Sequence, residues 1–274
     1  MRRTSHFQAA LIRLWVVLAM CVPAAAQSPA PGRERARGPA DPRVQLRTYQ
    51  FTDTKEEMPY AVFVSSKVRR DQKAPLIIAL HGLGGSPTSL LRGNALDLAE
   101  EGGYVLVGPM GYNPSGWYGS PIVTRPGRRA PGPSNLPELS EKDVVNVLEI
   151  VRKEFNVDER RTYLMGHSMG GAGTYHLAVK YPGNWAAIGL IAPAAFSMKP
   201  SSLSAVPNLP VIVVQGDADP MVPVSMSREW VEYMKQRKMT HTYLEIAGGD
   251  HGSVIGTGMP EIFRFFAEHT KAAH

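Results

Sequence analysis

Short, unbroken apolar runs recur along the chain and are separated by amphipathic or small-residue segments. A run of this kind is typical of a strand buried on both faces of a parallel sheet. The predicted strands of this type are residues 76–80, 104–107, 161–165, 187–192, 211–214 and 242–246. The predicted helices are residues 88–101, a segment from Ser140 to Val151, and residues 169–181, 224–238 and 259–271. The alternation predicts a mostly parallel sheet with helices on both faces.

Two further segments extend this pattern at its start. Residues 44–51 and 59–66 are β-rich and are joined by the polar residues 53–57, which predicts an antiparallel pair ahead of the parallel strands. The full sheet would then have about eight strands. Ser140 is placed to cap the helix that follows, with Asp143 three residues on. The proline- and glycine-rich stretch 108–139 is long for a loop in a compact domain, and such loops are usually functional.

The first residues have the features of an export signal. Two arginines precede an apolar run at 11–22, and three alanines at 24–26 match a cleavage site before Gln27. We therefore expect a signal peptide at 1–26, a flexible linker at 27–43 and one folded domain at 44–274, with a secreted or periplasmic location. The only cysteine, Cys21, lies in the signal, so the exported domain would have no disulfide. Lipid anchoring at Cys21 is the alternative to ordinary cleavage.

Charge and composition exclude several kinds of partner. The formal charge is +6, and removal of the three arginines of residues 1–26 leaves 27 Lys and Arg against 24 Asp and Glu, or +3. The basic clusters at 33–43 and 125–129 contain no aromatic residue, which argues against nucleic-acid binding. No run reaches the length of a membrane helix. No set of His, Asp or Glu has metal-ligand spacing, so we predict no metal or cofactor, and the oligomeric state stays open.

The pentapeptide 166–170, Gly-His-Ser-Met-Gly, is the strongest chemical signal in the chain. It stands where a predicted strand ends and a predicted helix begins, which is the context that a nucleophile elbow requires. Small flanking residues permit the sharp turn that exposes the hydroxyl of Ser168, and the helix N-terminus faces the reacting centre. The alternative is a glycine-rich packing turn. The context favours a catalytic serine.

A serine nucleophile needs a base, and the position of the histidines after Ser168 selects one. His176 lies inside the helix after the elbow, His241 begins a strand, and His269 and His274 are in the tail. His251 lies in a glycine-flanked loop after a strand, where a base is expected. The alternative is that His251 is an exposed turn residue.

The base needs an orienting carboxylate, and two candidates follow the strand 211–214. Asp219 lies further beyond the strand end and precedes a proline, so it is favoured as the acid. Asp217 is expected to shape the turn by accepting backbone N–H bonds, and Asp250 is expected to be a turn residue next to the base.

The oxyanion site needs two backbone donors. The N–H of Met169 is one candidate, and the glycine loop after strand 76–80 supplies the other, with Leu83 favoured and Gly84 second. Trp117 and Tyr118 lie between glycines in the long loop. They are predicted to line the substrate pocket, with packing of the loop onto the core as an equal alternative.

These motifs resemble the α/β-hydrolase superfamily. The resemblance rests on His-Gly-Leu-Gly-Gly at 81–85, Gly-His-Ser-Met-Gly-Gly at 166–171, Gly-Asp-Ala-Asp-Pro at 216–220 and Asp-His-Gly at 250–252. More narrowly, the chain looks like the secreted esterase and peptidase-like members related to the prolyl oligopeptidase catalytic domain, feruloyl esterases and polyhydroxybutyrate depolymerases. The resemblance covers about residues 44–270. The motifs are specific for the fold and the triad but not for the substrate.

The resemblance implies a serine hydrolase that cleaves carboxylic esters, of short-chain acyl or of aryl and feruloyl type, through an acyl-enzyme. The substrate would be a small molecule or an ester borne on a polymer. A peptidase with the same triad is the second hypothesis, but no glutamate pair is placed to bind a substrate amino terminus. A non-catalytic binding protein on a hydrolase scaffold is the third, and it predicts a broken triad.

Overall fold

The computed structural model describes residues 41–123 and 132–272. Eight strands are found in this part of the chain: β1 Gln45–Phe51, β2 Glu56–Val64, β3 Ala74–Leu80, β4 Val105–Pro109, β5 Val157–His167, β6 Ile188–Ile191, β7 Val211–Gly216 and β8 His241–Ile246. Five α-helices accompany them: α1 Asn94–Gly102, α2 Leu136–Glu154, α3 Met169–Lys180, α4 Val224–Gln236 and α5 Ser253–Glu268. The predicted alternation of strands and helices is confirmed.

The strands form one sheet in the order β1-β2-β4-β3-β5-β6-β7-β8. β1 pairs antiparallel with β2, and β2 pairs antiparallel with β4. All other pairs are parallel. The predicted α/β fold, with an antiparallel start and a mostly parallel sheet, is therefore confirmed. Because parallel strands end at the same edge of a sheet, the loops after β3, β5, β6, β7 and β8 meet there.

Apolar side chains cover both faces of the sheet. All seven residues of β3 are buried, which explains its unbroken apolar sequence. Leu76, Ile78 and Leu80 pack into the core on one face, while Ile77 and Ala79 pack into the core on the other. Alternate residues of one strand thus serve two cores, so the central strands are fixed from both sides and hold the loops at their carboxyl ends in place.

Three helix starts differ from prediction. α2 begins at Leu136, a full turn before Ser140, and Pro137 lies in its first turn, where proline is tolerated. Ser140 is therefore a buried residue of the helix and not its cap. α1 begins only at Asn94, because Gly93 has a φ of 58°. α5 begins at Ser253, earlier than predicted, and contains Pro260 inside the helix.

Several sequence predictions concern residues that the structure does not describe. The signal peptide at 1–26, Cys21, most of the linker at 27–43 and the basic cluster at 125–129 all lie outside the described residues. Within residues 41–123 and 132–272, no helix combines the length and the apolar character needed to cross a bilayer.

Candidate active site

Ser168 is the single residue between β5 and α3. Its backbone has a conformation that non-glycine residues rarely adopt. Its φ is 56° and its ψ is −116°, outside both the helical and the extended regions. Such strain persists only where the surroundings impose it, and it is concentrated at functional sites. The Ser168 N–H donates to the Ile191 carbonyl at 2.9 Å, which ties the turn to β6. The predicted strand–elbow–helix context is present.

Glycines on both sides of Ser168 allow the elbow to pack. A Cβ atom on Gly166 would overlap the Gly170 carbonyl, and a Cβ atom on Gly170 would overlap the Leu80 carbonyl of β3. The helix that follows the elbow therefore approaches the neighbouring strand at backbone distance. Larger residues at these positions would push α3 away from the end of β3.

We expect Gly170→Ala to lower the free energy of unfolding by about 1–3 kcal/mol, because the added methyl meets backbone atoms that have little room to move. Gly256→Ala is the matched control, since Gly256 lies in α5 with open space around it. Alanine there should be neutral or stabilising by about 0.5–1 kcal/mol. Urea unfolding of both variants measures the difference, and equal stabilities would contradict the packing described.

The structure brings Asp219 and His251 into direct contact. The distance from His251 Nδ1 to Asp219 Oδ2 is 2.7 Å, and the Asp219 side chain is fully buried. Its other oxygen accepts the N–H groups of Met221 at 2.8 Å and Val222 at 3.0 Å. Burial alone would raise the pKa of Asp219, but the hydrogen bonds from Val222, His251 and Met221 lower it overall. An ionised carboxylate fixes Nδ1 as the protonated nitrogen and leaves Nε2 free as a base.

The two rival carboxylates have structural roles instead. The Asp217 carboxylate accepts the Gly248 N–H at 2.6 Å and so connects the loop after β7 to the loop after β8. The Asp250 carboxylate accepts the N–H groups of Gly252 at 2.9 Å and Ser253 at 2.7 Å, at the start of α5. Neither has a hydrogen bond to the His251 ring in the described structure. The preference for Asp219 thus agrees with the geometry.

His167 links the elbow to the loop that carries His251. Its Nε2 lies 2.8 Å from the His251 carbonyl oxygen, and the two rings are 4.7 Å apart between centroids. Burial is the main cause that lowers the pKa of His167, to about 4. The ring is therefore neutral at ordinary pH, with Nε2–H as the donor to the carbonyl. This bond holds the backbone of His251 next to the residue that precedes Ser168.

The glycine loop after β3 lies against the elbow. A Cβ atom on Gly82 would be 2.9 Å from His167 Nδ1 and 3.4 Å from Ser168 Cβ. The N–H of Gly84 donates to the Pro114 carbonyl at 2.8 Å, which removes it as the second candidate for the oxyanion site. The N–H of Leu83 has no acceptor in the described part of the chain. Met169 opens α3, where the first N–H groups have no acceptor within the helix.

Trp117 and Tyr118 lie in the interior. Only 4% of Trp117 and none of Tyr118 is exposed. Tyr118 packs on Gly173 of α3, and its hydroxyl donates to the His81 carbonyl at 3.2 Å. This burial favours the alternative that they pin the long loop onto the core. A part of Trp117 and Tyr118 in substrate binding stays a prediction.

Polar residues of α2 hold the same loop. The Tyr118 N–H donates to Ser140 Oγ at 2.9 Å. Asp143 is buried and accepts the Gly111 N–H at 2.6 Å and the Tyr49 hydroxyl at 2.6 Å. Burial raises the pKa of Asp143 to about 6, against the hydrogen bonds, which lower it. The loop after β4 is thus fixed by polar groups of α2.

The raised pKa of Asp143 predicts a stability that depends on pH. In the unfolded chain an aspartate releases its proton near pH 4, whereas the folded protein keeps this proton up to about pH 6. The contribution to folding therefore falls as pH rises from about 4 to 6. Relative to Asp143→Asn, we expect the free energy of unfolding of the wild type to fall by on the order of 1–3 kcal/mol across this window. Urea unfolding of both proteins at pH 4.5 and 7 checks this prediction. A difference in stability between them that is the same at both pH values would contradict it.

Two exposed apolar residues near the site are not among the site residues predicted from the sequence. Phe196 follows β6 and is 45% exposed, and Met221 follows Asp219 and is 65% exposed. The available signal was a large apolar residue in a loop directly after a predicted strand.

A cavity of about 280 Å³ opens beside the loop that carries His251. Gly252 and Arg92 line it, together with residues at the starts of α1 and α5. Neither Ser168, Asp219 nor His251 is part of its wall. The cavity therefore adjoins the site without containing it.

The family model described as "Putative esterase" matches residues 52–256, which include Ser168, Asp219 and His251. The chain belongs to this esterase family. The resemblance inferred from the sequence motifs is thereby confirmed.

Several known proteins are similar to this esterase-family chain in sequence or in fold. Feruloyl esterase B of Neurospora crassa is 31% identical over 114 residues, covering 40% of this chain and 36% of that protein. The solved structure of a thermostable esterase superposes with a TM-score of 0.64 at 26% identity, covering 84% of this chain and 64% of the other. A ferulic acid esterase of Anaeromyces mucronatus gives a TM-score of 0.65 over 88% and 96% of the two chains, at 18% identity. The matches span between 13% and 53% of the length of the curated relatives.

Proposed function

We propose that this chain is a serine esterase that hydrolyses carboxylic esters through an acyl-enzyme. Ser168 is the nucleophile, His251 the general base and Asp219 the carboxylate that orients the base. The N–H groups of Leu83 and Met169 form the oxyanion site. The substrates are esters of short-chain or aryl acids, free or borne on a polymer.

The reaction follows from the roles of these groups. Ser168 Oγ attacks the ester carbonyl while His251 Nε2 takes its proton, and the two N–H groups stabilise the negative oxygen of the tetrahedral intermediate. The intermediate collapses to the acyl-enzyme as His251 gives that proton to the leaving alcohol. Water then attacks the acyl group, again with His251 as base, and Ser168 is regenerated with release of the acid.

One observation supports the proposal above all others. The buried Asp219 carboxylate lies 2.7 Å from His251 Nδ1, and the carbonyl of the same histidine is bound by the residue before Ser168. A histidine that is held at its ring by a carboxylate and at its backbone by the residue before a strained serine supports a role in nucleophilic catalysis. A histidine in a solvated turn would need neither contact. A binding protein on the same scaffold would have no use for an ionised, fully buried carboxylate behind the ring.

We further propose that the enzyme acts outside the cytoplasm, as the folded domain 44–274 with its linker 27–43, released from a signal at 1–26. The support is the basic, apolar and small-residue order of the first 26 residues. Expression with and without residues 1–26, followed by fractionation, tests this. Export that does not depend on them would overturn it.

The ester specificity is tested by comparing kcat/KM for p-nitrophenyl acetate, methyl ferulate and an aminoacyl p-nitroanilide. Ser168→Ala gives the background rate for each compound. We expect turnover of at least one ester far above background and a much lower rate on the anilide. Preferred turnover of the anilide would make the protein a peptidase, and rates equal to background on all three would overturn the proposal.

A further inference from the structure

Large apolar side chains reach solvent at few places in this protein. Within residues 41–123 and 132–272 these side chains are Leu46, Leu83, Phe196 and Met221, with exposed fractions of 36%, 59%, 45% and 65%. Leu46 lies on the edge strand β1. The other three follow β3, β6 and β7, and those strands end at the edge of the sheet that carries the site. We call Leu83, Phe196 and Met221 the apolar rim.

The backbone of each rim residue is tied to the catalytic groups. Gly82, which precedes Leu83, lies so close to the elbow that a Cβ on it would be 3.4 Å from Ser168 Cβ. The N–H of Ala194, two residues before Phe196, donates to the Ser168 carbonyl at 3.0 Å. The loops after β3 and β6 therefore each bring one exposed apolar side chain to the surroundings of Ser168.

Met221 has the most direct tie. Its N–H donates to Asp219 Oδ1 at 2.8 Å, while Asp219 Oδ2 holds the His251 ring. The turn that carries Met221 therefore cannot move away without loosening the carboxylate. Its side chain nevertheless remains the most exposed of the rim.

Exposing such side chains to water makes the folded protein less stable than burying them would, so folding alone does not explain their position. Leaving a Phe, Leu or Met side chain in water forgoes a stabilisation of about 1.5–3 kcal/mol that burial would provide. Single exposed apolar residues are ordinary, but a group of them around one site indicates a binding surface. The segments 82–85 and 193–197, which carry two of the rim residues, contain no charged residue.

We infer that the apolar rim binds the acyl part of the substrate and selects esters with an apolar acyl chain over acetate. This rests on the proposed esterase function. The acyl carbon stays bonded to Ser168 Oγ through the acyl-enzyme, and its oxygen lies at the N–H groups of Leu83 and Met169. A chain that extends from this carbon over the site passes among side chains from the three loops. Contact with them removes apolar surface from water on both partners.

The test compares p-nitrophenyl hexanoate with p-nitrophenyl acetate, which share the alcohol and differ only in the acyl chain. The variants are Phe196→Ser, Met221→Ser and the two combined. The wild type is expected to favour hexanoate in kcat/KM, and the double variant is expected to lower the hexanoate-to-acetate ratio about tenfold. Leu46→Ser makes a similar change from an exposed apolar to a polar side chain on β1 and is expected to leave the ratio unchanged.

The outcomes separate this inference from the proposed function. An unchanged ratio in the double variant, with both esters still cleaved, overturns the rim assignment and leaves the esterase proposal standing. Wild-type rates on both esters that are no higher than those of Ser168→Ala would overturn both the rim assignment and the esterase proposal. A ratio that falls equally in Leu46→Ser also contradicts the assignment, because the effect would not be local.

A second copy of the chain is the rival occupant of the rim. Light scattering of the wild type and the double variant distinguishes it. Conversion of a dimer to a monomer without any change in the ratio would assign the rim to subunit contact and overturn the inference. An unchanged mass together with the lowered ratio supports acyl binding.

Discussion

Ser168→Ala is expected to lower kcat/KM for an ester about 10⁴- to 10⁶-fold while the protein stays folded. The hydroxyl oxygen is the atom that attacks, and no other described group replaces it at the elbow. Alanine fits the same space, so the packing of α3 on β3 is kept. The N–H groups of Leu83 and Met169 remain, which accounts for any residual rate above the uncatalysed reaction.

Ser204→Ala is the matched control for this variant. Ser204 is exposed, lies in a short 3₁₀ segment after β6 and forms no side-chain hydrogen bond in the described structure. The same loss of a hydroxyl there should leave kcat/KM unchanged. Steady-state kinetics on the preferred ester, with circular dichroism to confirm folding, give the comparison. A Ser168→Ala variant that keeps more than a few per cent of the rate would remove Ser168 from the mechanism.

The second large effect concerns the carboxylate behind the base. Asp219→Asn is expected to lower kcat about 10³- to 10⁴-fold, because an amide beside Nδ1 no longer stabilises the protonated imidazole and favours the wrong tautomer. The hydrogen bonds from Met221 and Val222 to Oδ1 can still be accepted by the amide oxygen, so the turn after β7 should survive. The loss should appear mainly in kcat, with a smaller loss of stability, because the amide NH2 would replace the Oδ2 atom that accepts a hydrogen bond from Gln215 Nε2 at 3.2 Å.

Asp217→Asn is the control for that change, only two residues away. Asp217 accepts the Gly248 N–H, a role that an asparagine oxygen also performs. We expect kcat within about threefold of the wild type, since exposed substitutions that keep their hydrogen bonds have small effects. Equal losses in the two variants would mean that the carboxylates act together on the loop and that Asp219 has no special part in the chemistry.

The predictions that agree with the structure share a physical basis. Ser168, Asp219 and His251 follow β5, β7 and β8, and the carboxyl ends of parallel strands meet at one edge, so chain order and strand direction suffice to bring such residues together. The unbroken apolar sequence of the central strands also follows from their place in the sheet, because burial on both faces leaves no position for a polar side chain.

The roles that the sequence left open or predicted wrongly depend on contacts that no local pattern contains. The burial of Tyr118 requires a glycine at position 173, which lies on another element. The exclusion of Gly84 from the oxyanion site depends on the carbonyl of Pro114. Ser140 resembles a helix cap, yet the helix extends back to Leu136 and uses that hydroxyl to hold the Tyr118 N–H. In each case a partner distant in the sequence decides the role.

The most direct test of the proposed mechanism is covalent labelling of the folded protein by a fluorophosphonate, with the modified peptide identified by mass spectrometry. An activated serine next to a histidine and an oxyanion site reacts with such a reagent, whereas an ordinary serine does not. We predict one adduct per chain, located on Ser168 and absent from Ser168→Ala. A folded protein that gains no adduct, or that carries it on another residue, would contradict the mechanism.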